Sequence, residues 1–141
     1  MGEAREVMDR LTEVAFSKDL EALKELYAPD AVAETPDEGT LRGRDQIVAW
    51  VGAFMIAFPD ASYELTRGYE SGANAIDEGD FVGTNTGPLP TPTGESMPAT
   101  GRGVRIRSCD AVTVEGGLVT SHRFYYDQMD FLGQLGLAPE A

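Results

Sequence analysis

The chain predicts an α+β domain, a curved antiparallel sheet wrapped around N-terminal helices with an apolar pocket between the two. Three observations carry this. Apolar residues recur at three- and four-residue spacing as far as Phe58, and from Ala61 onward the pattern alternates as strands do. The 141 residues, 42% of them hydrophobic, form one domain over 1–141 that can bury a core and a pocket.

Val7, Met8, Leu11, Val14 and Ala15 mark one face of a first helix. Ser17-Lys18-Asp19 interrupts it. Leu20, Leu23, Leu26 and Tyr27 then make a second short helix ending at Ala28-Pro29. Residues 30–36 fit a short strand and 37–40 a turn. A third helix runs from about Asp45 to Ala57, with Ile47, Val48, Trp50, Val51, Phe54 and Met55 covering more than half its circumference, and Pro59 stops it. Such a wide apolar face implies burial against a sheet, with some residues left to line a cavity.

Four strands follow as an antiparallel meander, at about 62–70, 74–86, 102–114 and 118–127. The segment 87–101, with four prolines, reads as a long loop without structure of its own, serving as a lid, a binding loop or a plain surface connection. Met129, Leu132, Leu135 and Leu137 close the chain as a short amphipathic tail.

The last hairpin holds the only histidine. A three-residue loop with Gly117 in the left-handed position would set Val114 against Leu118 and Asp110 directly opposite His122. Alternation then puts Asp110 on the side of Val104, Ile106, Val112 and Val114, and His122 on the side of Leu118, Phe124 and Tyr126. A carboxylate that holds an imidazole fixes its tautomer and raises its basicity, which suits a general base near neutral pH. The competing reading is a structural pair, or a ligand contact without chemistry.

Other polar positions are weighed in the same way. Glu78 shares a strand face with Ile76 and Val82, where a carboxylate among apolar residues would act as an acid; the alternative is an exposed acidic strand. Asn85 would donate a hydrogen bond to a carbonyl or enolate oxygen, or serve as a turn residue. Trp50 and Phe54 line the pocket or belong to the core. Cys109 has the opposite strand parity from Asp110, so no Cys–His nucleophile follows.

Composition narrows the partners. A net charge of −13, from 24 acidic against 11 basic residues, argues against nucleic acid. Arg102, Arg105 and Arg107 alternate along one strand as a partly exposed face. No apolar run approaches the ~20 residues of a membrane helix. The opening MGEAREVMDRL lacks the order of a signal peptide, and one cysteine excludes an internal disulfide framework. The expectation is a cytoplasmic protein. Dinucleotide, phosphate-loop, zincin and paired-cysteine motifs are absent, so no cofactor and no metal are implied.

Asp19-Leu-Glu-Ala-Leu-Lys-Glu-Leu-Tyr-Ala-Pro-Asp-Ala-Val32, Gly39-Thr-Leu-Arg-Gly-Arg-Asp45 and Ala57-Phe-Pro-Asp60 resemble the front half of the SnoaL-like polyketide cyclases. Gly83-Thr-Asn-Thr-Gly-Pro88 and Tyr125-Tyr-Asp-Gln-Met-Asp-Phe-Leu-Gly-Gln-Leu-Gly136 resemble the back half. The resemblance implies a cone-shaped barrel of the ketosteroid-isomerase-like superfamily, a homodimer, and an apolar pocket that takes a small hydrophobic molecule without a metal. It also implies ring closure by a carboxylate acid/base, but that position is Phe124 here, which cannot move a proton. A histidine frequent in the family is Asn85, and a further polar pocket position is Asp110. Asp127 matches a recurring carboxylate, or it caps the tail helix.

Two functions follow. The first is a cofactor-free enzyme working by cyclisation, isomerisation or hydration. In it His122 is the base, Asp110 orients it, Glu78 is a candidate acid, Asn85 or Tyr126 stabilises an enolate, and Trp50, Phe54 and Phe124 shape the pocket. The second is a non-catalytic ligand-binding or scaffolding module on the same fold.

Overall fold

A computed structural model describes residues 2–91 and 95–137. Helix α1 (Glu3–Phe16) buries Ala4, Met8, Leu11 and Val14, the stripe set by their spacing. Lys18 turns the chain at φ 65°, and Asp19 caps α2 (Leu20–Glu25) by accepting from the Ala22 amide at 3.1 Å. Strand β1 (Tyr27–Thr35) then pairs with β2 (Gly39–Arg42), where the sequence predicts only a turn. Helix α3 (Arg44–Ala57) buries Ile47, Val48, Trp50, Val51 and Met55. Strands β3 (Ser62–Ser71) and β4 (Asn74–Thr84) form a hairpin.

The described part of the 87–101 segment is not structureless, contrary to expectation. Strands β5 (Leu89–Pro90) and β6 (Ser96–Met97) pair as a small second sheet. Strands β7 (Gly103–Glu115) and β8 (Leu118–Tyr126) make the long hairpin, and α4 (Gln128–Gln134) closes the chain.

The main sheet corrects the predicted architecture. Its strand order is β2-β1-β8-β7-β4-β3, with β1 and β8 parallel and every other neighbouring pair antiparallel. The sheet is therefore mixed. Strands β2 and β3 are its two edges and do not pair, so it is an open sheet and not a cone-shaped barrel enclosing the helices. The antiparallel meander expected from Ala61 onward exists, as β3-β4-β7-β8. What it omits is β1, which enters the sheet before α3 and lies beside the last strand, a partner some ninety residues distant that no local pattern specifies. The ladder between β1 and β8 breaks between Tyr27 and Val32, the stretch containing Pro29, whose nitrogen has no proton to donate.

Helix α1 packs against β3, β4 and β7, and α3 packs against β1. Between them lies one continuous core that includes Met8, Leu11, Leu23, Ile47, Met55, Phe58, Val112 and Val119. No described helix is long and apolar enough to cross a membrane.

Candidate functional site

The β7–β8 hairpin positions the site, by a route other than the one predicted. Gly116 and Gly117 both have positive φ, 60° and 79°, so they form a two-residue turn of the primed kind, flanked by Glu115 and Leu118. Past the turn Val114 pairs with Val119, then Thr113 with Ser121, which leaves Thr120 as a bulge. The shorter turn and the bulge each displace the register by one residue. Asp110 consequently faces Phe124 and His122 faces Val112, so Asp110 and His122 are diagonal neighbours and not directly opposed. Two shifts preserve side-chain parity, so the pair still shares one face. Val119, in place of the expected Leu118, faces Val114 and is fully buried.

His122 Nε2 lies 2.7 Å from Asp110 Oδ2. Its other ring nitrogen, Nδ1, lies 2.7 Å from the hydroxyl of Tyr27 at the start of the parallel strand β1. Burial first, and the Asp110 charge second, push the Tyr27 hydroxyl far above its ordinary pKa, so it keeps its proton. One arrangement gives every group a partner. Nε2–H donates to the Asp110 carboxylate, and Nδ1 accepts from Tyr27. Tyr27 does not stand out in the sequence as a site residue, because its spacing from Leu20 and Leu23 continues the helical pattern. Pro29, two residues on, is the signal that the chain has already left the helix.

These residues line a cavity of about 140 Å³. Trp50, Phe54, Met55 and Phe124 form much of its wall, with Tyr126 and Tyr63 contributing phenol rings. Phe124 stacks on His122 with ring centres 3.9 Å apart and meets Trp50 at 4.7 Å. The Trp50 indole N–H points away to the Asp37 carboxylate at 3.2 and 3.3 Å. Tyr63 and Tyr126 each bury a hydroxyl that has no hydrogen-bond partner among the described residues. Asp110 is the only carboxylate among the described lining residues.

A second carboxylate stands behind it. Asp77 is the register partner of Asp110 across β4 and β7 and is almost wholly buried. Arg5, from α1, approaches its Oδ1 to 2.6 Å, a charge contact without straight hydrogen-bond geometry, and also binds Asp9 at 2.7 Å. Burial raises the Asp77 pKa; Arg5 opposes the rise and Asp110 adds to it.

Three predicted site residues lie elsewhere. Glu78 does share its strand face with Ile76 and Val82, but the side of β4 that meets the helices carries Ala75, Asp77 and Gly79. The Glu78 carboxylate, 41% exposed, accepts from the Tyr69 hydroxyl at 3.2 Å on the other side. Asn85 is fully buried, with all its side-chain capacity engaged. Its amide donates to the carbonyls of Ala57 and Gly87, and its oxygen accepts from the Thr100 amide and hydroxyl. It clamps the 87–101 segment and has no donor left for a ligand. Asp127 caps α4 by accepting from the Asp130 amide at 3.1 Å. On the outer sheet face Arg105 bridges Glu64 and Asp80, in line with a partly exposed arginine strand.

The model of the SnoaL-like domain matches residues 5–122, most of the chain. The chain belongs to the SnoaL-like domain family. Solved structures agree in fold. A candidate SnoaL-like polyketide cyclase from Jannaschia sp. CCS1 superposes with a TM-score of 0.84 at 18% identity, covering 98% of this chain and 94% of that one. IdmH, a candidate polyketide cyclase from Streptomyces antibioticus, gives 0.76 at 27% identity, covering 93% and 96%. An LEH-like epoxide hydrolase from M. tuberculosis gives 0.71 at 18% identity, covering 95% and 90%. No curated protein matches. One SnoaL-like fold thus serves proteins named for different chemistries, and the residues of the cavity must carry any functional argument.

Proposed function

We propose that this chain holds a small, largely apolar, oxygen-bearing molecule in the aromatic cavity, with the Asp110 carboxylate as its charged polar contact. The contrast within the Asp110–His122 pair carries this reading. The Asp110 side chain is 19% exposed and that of His122 only 5%. Both ring nitrogens of His122 are engaged, so an entering molecule meets the carboxylate and not the imidazole. His122 is then a positioning residue for Asp110, in place of the base that the sequence suggests.

The walls supply affinity by apolar burial, at roughly 25 cal/mol per Å². Trp50, the only tryptophan, reports occupancy. Tetralin and 2-tetralol are each expected to quench its fluorescence saturably. Asp110→Asn should weaken 2-tetralol about tenfold relative to tetralin, because a hydrogen bond to a charged acceptor is stronger than one to a neutral acceptor. Absence of saturable quenching by either compound would refute the reading.

A second reading, acid/base catalysis, is favoured by the bracing of the carboxylate. A carboxylate held by a buried imidazole, itself held by a buried phenol, keeps a fixed orientation beside an apolar surface. Asp110 would take a proton from the carbon next to a carbonyl, leaving an enolate, and return it at the same or another atom. Deuterium uptake by cyclohexanone in heavy water, followed by NMR, checks this. Acceleration by the protein, abolished in Asp110→Asn, is expected; an uptake rate equal to buffer alone would eliminate the catalytic reading and leave the binding one.

A further inference from the structure

The Tyr63 hydroxyl is a polar group with no role in the fold. It is buried, it faces the cavity, and it has no hydrogen-bond partner among the described residues. A buried hydroxyl left without a partner is costly to the fold, so its retention needs a reason.

Its placement is specific. Tyr63 pairs with Phe81 in the β3–β4 ladder, yet its ring leans along the strand to lie over Gly79. A Cβ at position 79 would fall 2.8 Å from the ring carbon that bears the hydroxyl, so only glycine leaves that path open. Gly79 faces Ser108 in the β4–β7 register, and Ser108 is two residues from Asp110 on the same strand face. The Ser108 hydroxyl donates to the Gly79 carbonyl at 3.4 Å; it stands near Tyr63 without completing a bond to it. The negative charge of Asp110 is felt at the phenol, second only to burial in holding its proton. A donor and a carboxylate acceptor thus line one largely apolar cavity, from the two strands that flank β4. The Tyr126 hydroxyl, also without a partner of hydrogen-bond geometry among the described residues, feels the Asp37 carboxylate in place of Asp110.

We infer that Tyr63 donates its hydroxyl hydrogen to a ligand oxygen lying next to the group that meets Asp110, so that the cavity selects carbonyl or hydroxy-carbonyl compounds over hydrocarbons of the same shape. This rests on the ligand-binding reading of the cavity and adds a second polar contact to it. Phenylalanine at this position keeps the ring and removes only the donor.

The test compares 2-tetralone with tetralin on the full chain by Trp50 quenching, in wild type and Tyr63→Phe. Wild type should bind the ketone about tenfold more tightly than the hydrocarbon. The variant should lose that preference while its tetralin affinity stays within twofold. The carbonyl stretch of bound 2-tetralone should shift to lower frequency in wild type and return toward its apolar-solvent position in Tyr63→Phe. A ketone preference that survives in the variant, or is missing in wild type while tetralin binds, overturns the role of Tyr63 and leaves the cavity reading standing. Failure of tetralin and 2-tetralone alike to bind wild type overturns both.

Discussion

The Tyr27 hydroxyl lies 2.7 Å from Nδ1 of His122, joining the first strand of the sheet to the last through two buried side chains. Removing that hydroxyl leaves Nδ1 of a buried imidazole without a donor. Tyr27→Phe should therefore destabilise the fold by about 1–3 kcal/mol, the cost of an unsatisfied buried polar group. Urea denaturation measures the loss. The tautomer should survive the change, because the Asp110 carboxylate at 2.7 Å still requires the proton at Nε2. In ¹⁵N NMR both wild type and Tyr27→Phe should show an imidazole protonated at Nε2. A mixture in the variant would mean that Tyr27 shares in setting the tautomer.

Asp77 gives a pH prediction whose sign is opposite to the usual one for a carboxylate. Its pKa is raised in the folded chain above the ordinary 3.8, with burial as the first cause. The folded state then binds more protons at this site than the unfolded state does in the window just above 3.8, so the contribution of Asp77 to stability falls as pH rises through that window. Exposed carboxylates that accept hydrogen bonds, such as Asp60 and Glu70, have lowered values and act in the opposite direction. The difference between wild type and Asp77→Asn isolates the site. As pH falls from neutral through this window, wild type should gain stability relative to the variant. A flat difference would show that Arg5 offsets burial, and one of opposite slope that Arg5 outweighs it.

How far the sequence carried these conclusions depends on where each contact is encoded. Local periodicity gave α1, α3 and the four long strands, because their partners are sequence neighbours or the core itself. Strand parity also placed Asp110 and His122 on one face. It did so although the turn and the Thr120 bulge were both unforeseen, since their displacements add to two residues. Tyr27 was out of reach because β1 joins β8 in parallel, a pairing set by tertiary packing and not by any turn. Glu78 and Asp77, neighbours on β4, lie on opposite faces of it. The choice of the buried one turned on Arg5, distant in sequence, which partners an aspartate under α1. The closed barrel came from family resemblance, and the strand order of this chain overrides it.

Asn85 separates a clamp from a ligand contact. It makes four side-chain hydrogen bonds, to Ala57, Gly87 and twice to Thr100. Truncation to alanine strands several of these partners in a fully buried place. At ~1 kcal/mol per net bond, Asn85→Ala should lose roughly 3–4 kcal/mol. Tetralin affinity measured on the fraction that remains folded should stay within twofold, because Asn85 is not part of the cavity wall. A stable variant with weakened ligand binding would restore the role in ligand contact that the sequence suggested.

Gly79→Ala tests whether space at this one position aims Tyr63. The added Cβ would stand 2.4 Å from the Glu64 carbonyl oxygen and 2.8 Å from the Tyr63 ring. The ring can rotate away; the carbonyl belongs to the ladder at the Leu65–Arg67 bulge and cannot move without disturbing β3. A loss of about 1–3 kcal/mol is expected, as for overpacking elsewhere in a tightly filled interior. A double-mutant cycle with Tyr63→Ala apportions it. If the backbone clash dominates, Gly79→Ala should cost nearly as much in the Tyr63→Ala background as in wild type. Near-complete rescue would instead identify the ring as the obstacle. Under either apportionment the surviving phenol of the single variant is displaced from Asp110, so the preference for 2-tetralone over tetralin should shrink. Retention of the full preference would show that the hydroxyl reaches its ligand by another path.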